Sequence, residues 1–541
     1  MNLNSLKKII LQIKKFQRTG HHEKAVARAR EVLASEPNDK NIRYNAAGFF
    51  IDSGRVLKDL ETVDEGIALI EGLLDRKDDS KPEYLISLKY NLSNGYDARS
   101  NILRGKGNEL GANEALNKAK ALLQSILINK KLIRKDAVAS VMVNYAKMLY
   151  QHGRIIEAID WNYDCMKNYN SAISKANCGV QIKNILRVSG KHTAKNVHEA
   201  WKLLSSACEL KDEILSDSGK ESLEWFKAQL QELVGEMEDN FDGGLKTIKK
   251  YAAHRIKVHG RPHVEKWLES VRQDRLLLTL NQNPLNSVEE CLDDLFLESF
   301  VSIGGQKGIE RFRELAYILN TIKEDYVTAR YLFYHSEEAK GELSQRGVIT
   351  NYVNAFDDAD FGVLIGIMKA SFRVAADCLD KIAIFINRYF ELGNSNEHVN
   401  INNIWYKNKD TKKREIHPSL SGLLDSNIFL RALRDLQGDW FLRKFPSPLK
   451  TVRDSATHRE MVLYWRRPVN PKTTDIKWDS DDFRTQTLFL LRMVKAAIIY
   501  TVCALTIEEQ RKSEEVETKG HVTFRVDPGI SESLLQERKK G

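Results

Sequence analysis

The chain has 541 residues, of which 42% are hydrophobic and 29% are charged. That length exceeds what one hydrophobic core supports, so we expect two or three domains, and the composition excludes an intrinsically disordered chain. The formal net charge of +9 permits nucleic-acid binding without requiring it. Only ten prolines, among long stretches rich in Leu, Ala, Lys and Glu, predict an all-α protein.

Neither the cysteines nor the first residues indicate secretion. The six cysteines are far apart and form no Cys-x-x-Cys pair, which favours reduced thiols over zinc ligands or disulfides. The first 20 residues lack the sustained apolar core and small-residue cleavage site of a signal peptide. The most apolar run, 488–505, contains Arg492 and Lys495, which are costly inside a bilayer. We therefore expect a cytoplasmic protein with no membrane partner.

Residues 1–245 are predicted to form pairs of amphipathic helices. In the first pair Gly20 lies five positions before Ala25 and seventeen before Pro37, and the five-residue step recurs from Gly153 to Ala158. This spacing resembles the tetratricopeptide repeat (TPR), in which Gly allows the turn, Ala allows close helix packing and Pro ends the second helix. We therefore expect a TPR-like helical-repeat solenoid.

Helical-repeat solenoids expose curved surfaces, so the partner expected for residues 1–245 is a protein or peptide ligand. This region contains no recognisable catalytic residues. The alternative is a plain helical bundle in which Gly and Ala fall at this spacing by chance.

The repeat pattern ends in a connecting segment, residues 246–305, whose Pro and Asn residues predict turns. His254, His259 and His263 are spaced like metal ligands. However, a turn separates the last two, and no catalytic Glu accompanies them. The chain also has no Gly-rich phosphate loop and no nucleotide-binding fingerprint. We expect neither a metal nor a cofactor.

Helical periodicity returns over residues 306–510, and a basic loop interrupts it. Its aromatic residues could stack on a base and its cations could contact phosphates. The candidate RNA-binding residues are Trp405, Tyr406, Lys407, Lys409, Lys412, Lys413 and Arg414. The alternative is a solvated charged loop. Residues 511–541 are polar and are predicted to form a mobile tail.

The pattern Arg-x4-His occurs three times, and the pair Arg453 and His458 fits a catalytic site best. The four intervening residues, Asp-Ser-Ala-Thr, are small and polar, as in the lining of a wet cleft. Ser447 is a suitable N-cap for their helix, and Pro448 suits its first position. In contrast, Arg187 to His192 encloses a loop, and Arg330 to His335 encloses residues typical of a core.

Helix geometry suggests a role for each residue of this motif. Asp454 and His458 are four residues apart on one face, so the carboxylate could orient the imidazole. Arg453 and His458 are five residues apart, or about 140° around an ideal helix. This separation of Arg453 and His458 around the helix favours a site shared between two subunits. His is suited to take a proton near neutral pH, and Arg is suited to bind phosphate. A solvated helix end is the alternative.

Several sequence blocks then indicate a family. Residues 283–286, 320–332, 369–373 and 379–387 resemble a bacterial family that joins TPR-like repeats to a C-terminal HEPN domain. In this family Arg-x(4–6)-His is the catalytic motif, and Arg453 and His458 occupy its place. Asp454 stands where the commonest form of the motif has Asn. The resemblance implies an all-α bundle, homodimerisation, metal-independent RNA cleavage that leaves a 2′,3′-cyclic phosphate, and roles in toxin systems or anti-phage defence.

The sequence thus predicts a HEPN endoribonuclease regulated by a TPR-like sensor. Its catalytic residues would be Arg453, Asp454 and His458, and its substrate would be RNA. The alternative is a non-enzymatic scaffold whose HEPN bundle dimerises or binds RNA without cleaving it.

Overall fold

The structure is a computed structural model. It describes residues 3–75, 81–128, 133–189, 194–241, 244–252, 262–280, 293–297, 299–302, 306–338, 359–407, 415–442, 449–458, 461–464, 477–516 and 522–525. The chain forms two compact units. The N-terminal unit comprises Met1–Gln151 and Trp161–Ser174, and the C-terminal unit comprises His152–Asp160 and Lys175–Gly541.

The N-terminal unit consists of successive helices, and the first seven pack on their neighbours in the chain. They are α1 (Leu3–Arg18), α2 (His22–Ser35), α3 (Lys40–Leu57), α4 (Leu60–Leu74), α5 (Pro82–Gly105), α6 (Glu109–Ile128), α7 (Lys135–Gln151) and the second part of α8 (Ile155–Tyr169). Asp39 and Asp59 cap α3 and α4 by accepting hydrogen bonds from free backbone N–H groups of the first turn.

The predicted turn between the first two helices is present. Gly20 adopts a φ of 77° between α1 and α2, a conformation that favours glycine. Ala25 is completely buried, as close helix packing requires. Gly66 shows a second close approach, because a Cβ at this position would lie 2.9 Å from the carbonyl oxygen of Ala47. Small residues therefore allow α2 and α4 to approach their neighbours.

The C-terminal unit is also mainly helical. It contains the start of α8, then α9 (Ala172–Ser189) from Lys175 onward, α10 (Ala194–Glu209), α11 (Lys211–Asn240), α12 (Gly244–Ala252), α13 (Pro262–Gln273), α14 (Gln306–Glu338), α15 (Val363–Tyr389), α16 (Pro418–Ser426), α17 (Ile428–Leu442), α18 (Leu449–His458) and α19 (Ser480–Val516). The helix α14 packs along α15, and α19 packs on α14, α15 and α17. The all-α prediction is confirmed.

Short strands accompany these helices, and the sequence did not predict them. The strand β1 (Ser299–Ser302) pairs antiparallel with β5 (Val522–Arg525). A second sheet contains β2 (Ala359–Asp360), β3 (Val462–Tyr464) and β4 (Lys477–Asp479), with β3 in the middle. Within the range 511–541, α19 continues to Val516 and β5 pairs with β1 through its backbone, and the mobile tail stays a prediction.

The helix α19 is long and apolar enough to cross a membrane by length and composition. Within the structure, however, 83% of its most apolar window is buried. Phe483, Leu491 and Tyr500 are each completely buried. This burial is that expected of a core helix.

The compact units do not follow the predicted boundary at residue 245. The N-terminal unit ends at Ser174, and residues 152–160 belong to the C-terminal unit. Gly153 has a φ of 83°, and a Cβ there would lie 2.5 Å from the carbonyl oxygen of Ile428. Glycine therefore allows this turn to lie against α17. The sequence missed this boundary because one amphipathic helix pair looks like the next.

A buried charge network holds the turn in the C-terminal unit. Arg154 is 1% exposed, and its guanidinium lies 2.6 Å from Asp439 and 3.0 Å from Asp435. Its Nε donates to Glu157 at 2.7 Å, and the Tyr500 hydroxyl accepts a hydrogen bond from the backbone N–H of Ile156. Burial raises the pKa of Glu157, although Arg154 opposes the shift.

Candidate functional site

The helix that carries the Arg-x4-His motif, α18, is anchored by apolar side chains. Leu449 and Val452 are completely buried, and α18 packs on α15 and α17. Ser455 is also buried, whereas Arg453 and Asp454 are partly exposed. The helix therefore presents the first two motif residues at the surface from a fixed backbone.

Arg453 is joined to α15 by an ion pair. Its Nη1 donates to Oδ2 of Asp380 at 2.8 Å, and a longer contact of 3.5 Å joins it to Asp454. Asp380 is itself held in place, because its Oδ1 accepts from the backbone N–H of Ile401. These contacts give the guanidinium a defined position within its own chain.

The carboxylate of Asp454 has two cationic neighbours. Lys450, one turn earlier on α18, donates from Nζ to Oδ2 of Asp454 at 2.9 Å. Partial burial acts to raise the pKa of Asp454, but the hydrogen bond from Lys450 and the charges of Lys450 and Arg453 outweigh it, and the pKa lies below its ordinary value. The described partners of Asp454 are therefore Lys450 and Arg453.

His458 is the last residue of α18, and its side chain lies outside the described part of the structure. The predicted interaction between Asp454 and His458 therefore stays a prediction. Ser447 and Pro448, the expected start of the helix, also lie outside the described residues.

Further carboxylates surround Arg453, and the sequence reasoning missed them. Asp377 lies one turn before Asp380 on α15, and burial raises the pKa of Asp377, while the charge of Arg453 acts to lower it. Lys381 pairs with Asp325 of α14. We call this group of four carboxylates and three cations the Arg453 cluster; it contains Asp325, Asp377, Asp380, Lys381, Lys450, Arg453 and Asp454.

The only sequence signal for these carboxylates was indirect. Asp325 lies in the block 320–332, and Asp380 and Lys381 lie in the block 379–387; both blocks carried the family resemblance. Nothing in the sequence pairs Asp380 with Arg453, which is 73 residues away. The Arg453 cluster contains one more carboxylate than cations, so the positive charge of Arg453 is largely balanced.

The structure corrects the prediction for Trp405. Its side chain is completely buried, and its indole N–H donates to the carbonyl oxygen of Ile401 at 2.8 Å. No ring face is open to a base, so Trp405 is a core residue and we withdraw it as an RNA-binding candidate.

The two residues after Trp405 form the base of the basic loop. Tyr406 forms a β-bridge with Ile416, and the backbone N–H of Lys407 donates to Glu415. The Lys407 side chain is exposed. The remaining candidates, Lys409, Lys412, Lys413 and Arg414, lie outside the described residues.

The competing motif matches have structural roles. Arg187 pairs with Glu232 and Glu236 on α11, and His192 lies outside the described residues. Arg330 is buried, and its guanidinium lies 2.6 Å from Asp293. The sequence predicted a core for the four residues enclosed by this pair, but only Phe333 among them is buried and Tyr331 is exposed.

The side chains of the three-histidine series lie outside the described part of the structure. His254 and His259 lie outside the description, and His263 is described only as backbone near the start of α13. Among the residues whose side chains are described, no group of three or more His, Cys, Asp or Glu could hold a metal.

One part of the chain matches the model of a known protein family. Residues 307–508 match the family model described as LA2681-like HEPN. We call this range the HEPN region. It contains α15 and α18, and with them Arg453, Asp454 and His458, and it lies within the range 306–510 predicted from the sequence. No curated protein matches the chain significantly.

Proposed function

We propose that the HEPN region is a metal-independent endoribonuclease. The observation that carries this proposal is the position of Arg453. It is fixed by Asp380, partly exposed, on an anchored helix that ends at His458 within the HEPN region. A fixed arginine at the surface is suited to bind a phosphate diester.

In the proposed mechanism each motif residue has one task. His458 takes the proton from the ribose 2′-OH, whose oxygen attacks the adjacent phosphorus atom. Arg453 stabilises the extra negative charge on the phosphate oxygens in the transition state. The bond to the 5′-oxygen of the next nucleotide then breaks, leaving a 2′,3′-cyclic phosphate and, after protonation, a 5′-hydroxyl. Asp454 orients His458 through a hydrogen bond.

A second copy of the chain would complete this site. In an ideal helix Arg453 and His458 point about 140° apart, so one phosphate is reached more easily by the two residues from different subunits. We therefore propose a homodimer formed through the HEPN region.

The N-terminal unit would act as the sensor. Its successive helices provide a surface for a protein or peptide, and binding of that ligand would control RNA cleavage by the HEPN region. A cytoplasmic toxin or anti-phage effector would use such control to stay inactive until it is triggered.

One observation favours a second function, in which the HEPN region dimerises or binds RNA without cleaving it. The four carboxylates of the Arg453 cluster outnumber its three cations, and Arg453 already has carboxylate partners. An incoming phosphate must compete with Asp380 and Asp454. A chain that had lost catalysis could retain this arrangement as a structural ion pair.

Analysis of cleavage products distinguishes the two functions. The purified full chain is incubated with total RNA or tRNA in EDTA, and the new 3′ ends are identified by mass spectrometry. The nuclease proposal expects 2′,3′-cyclic phosphates. RNA that is bound but stays intact supports the second function, and cleavage abolished by EDTA contradicts the mechanism.

A further inference from the structure

The exposed side of α1 carries an unusual concentration of positive charge. No acidic residue precedes Glu23 in the sequence. We call the cations of this helix with described side chains the basic face; they are Lys7, Lys8, Lys14, Lys15 and Arg18. All five are exposed.

The five cations lie along one side of the helix. At 100° per residue they fall within an arc of about 120°, with Leu11 in the middle. Lys7 and Lys14 are seven residues apart, as are Lys8 and Lys15, which places each pair about 10 Å apart along the axis. The basic face is therefore a strip rather than a scatter of charges.

The opposite side of α1 is already occupied. Ile13 is buried in a core cluster with Ala25 and Phe50, and Ile9, Ile10 and Phe16 pack against that cluster. An amphipathic helix that binds a membrane inserts its apolar face into the lipid. Here that face packs on the neighbouring helices, and Leu11 is the one large apolar residue exposed along α1 among those described. The partner must therefore recognise charge.

These cations also differ from others in the same unit. Within the described part of the chain, none of the five takes part in an ion pair or side-chain hydrogen bond. By contrast, Arg30 pairs with Glu65, and Arg99 pairs with Asp64. Among the described residues, no ion pair neutralises the positive charge of the basic face, which is therefore available to an anionic partner.

We propose that the basic face of α1 binds the phosphodiester backbone of a nucleic acid. Lysine and arginine side chains in a row contact successive phosphates and release condensed counterions. The contact reads charge and not base sequence, because the strip has no aromatic side chain. This binding site is separate from the Arg453 cluster and does not depend on RNA cleavage.

The test replaces Lys7, Lys8, Lys14 and Lys15 with Gln in the full chain. These side chains are exposed and have no partners in the described structure, and Gln is a good helix former, so the fold should persist. The matched control replaces four exposed lysines of other helices or turns with Gln: Lys106, Lys167, Lys211 and Lys227. Circular dichroism checks that both variants fold.

Binding is measured by fluorescence anisotropy at several salt concentrations, with 2′-O-methyl RNA, which cannot be cleaved through its 2′-oxygen, and with duplex DNA. Loss of four phosphate contacts should reduce the salt slope of log K by about 3 on the single strand. We expect affinity at low salt to fall at least about tenfold for the α1 variant and to stay within about twofold for the control.

Equal binding by the α1 variant and the unsubstituted chain would overturn the proposal. So would an equal loss in the control, which would indicate a general charge effect. Phosphatidylserine vesicles form a third arm: if the α1 variant loses binding to vesicles only, the face recognises membranes instead. Because the probe RNA cannot be cleaved, this binding test gives the same result whether or not the HEPN region is a nuclease.

Discussion

The guanidinium of Arg453 and the carboxylate of Asp380 lie 2.8 Å apart and join α18 to α15. Both side chains are partly exposed, at 25% and 30%. The pair therefore stands at the surface of the HEPN region, where a ligand can reach it. Asp380 fixes the arginine and also competes with any phosphate that binds there. Removal of this carboxylate would lower RNA cleavage through the first effect and raise it through the second.

Replacement of Arg453 tests its role as the phosphate-binding cation. Arg453→Ala should lower kcat by about 100-fold or more, as expected when a group that stabilises transition-state charge is removed. Arg453→Lys keeps the charge but loses the planar fork, so it should recover less than about a tenth of the lost rate. Steady-state cleavage assays measure both values.

A nearby arginine provides the control. Arg388 lies on α15, the helix that carries Asp380. Its side chain is half-exposed and pairs with Glu314 at 2.8 Å. Arg388→Ala should leave kcat within about twofold, because an exposed ion pair contributes little. Equal losses for Arg453→Ala and Arg388→Ala would argue against a specific role for Arg453.

Asp380→Asn separates positioning from competition. If Asp380 mainly orients Arg453, kcat should fall about tenfold while KM changes little, because a misplaced catalytic group slows the chemical step. The Asn side chain can still accept from the N–H of Ile401, which limits damage to the fold. A rise in kcat/KM would show instead that the carboxylate restrains the nuclease.

Arg154→Met should destabilise the C-terminal unit. The substitution leaves Glu157, Asp435 and Asp439 buried without their shared cation, and such a loss costs about 3–5 kcal/mol. Arg99→Met, which breaks a half-exposed pair with Asp64, should cost at most about 1 kcal/mol. Urea denaturation monitored by circular dichroism compares the free energies of unfolding of the two variants. Similar losses would show that the buried network stabilises the protein no more than a half-exposed ion pair does.

Glu157→Gln should have a pH-dependent effect on stability. Burial raises the folded-state pKa of Glu157 above its ordinary value of 4.5, so the folded protein holds this proton more tightly than the unfolded chain does. The resulting stabilisation is present at low pH and is lost as pH rises through the folded pKa. At pH 7.5 the Gln variant should therefore be as stable as the unsubstituted chain or more so.

Melting temperatures at several pH values check this sign. As pH falls towards 4.5, Glu157 becomes protonated in the unsubstituted chain and resembles Gln, so the difference between the two proteins should shrink. A Gln variant that is less stable at pH 7.5, and relatively more stable at low pH, would contradict the raised pKa.

Local sequence signals predicted the helical fold well. The periodicity of apolar residues and the turn at Gly20 depend on neighbouring residues, so they can be recognised without the tertiary structure. The motif helix was predicted for the same reason, and it is observed as α18, Leu449–His458.

Features that depend on distant residues could not be predicted. The pairing of Asp380 with Arg453 joins positions 73 residues apart, and β5 pairs with a strand more than 200 residues earlier. Trp405 was misassigned because its position beside a lysine-rich loop suggested exposure, whereas its indole N–H is satisfied inside the core. In each case tertiary contacts, which leave no local pattern, decided the outcome.

The most direct test of the central claim compares RNA cleavage by the full chain and by its His458→Ala variant, side by side in EDTA. We expect the unsubstituted chain to cut RNA and the variant to be at least about 100-fold slower while still folded, because it lacks the general base. Equal cleavage by both proteins would contradict the assignment of His458 and, with it, the proposed mechanism.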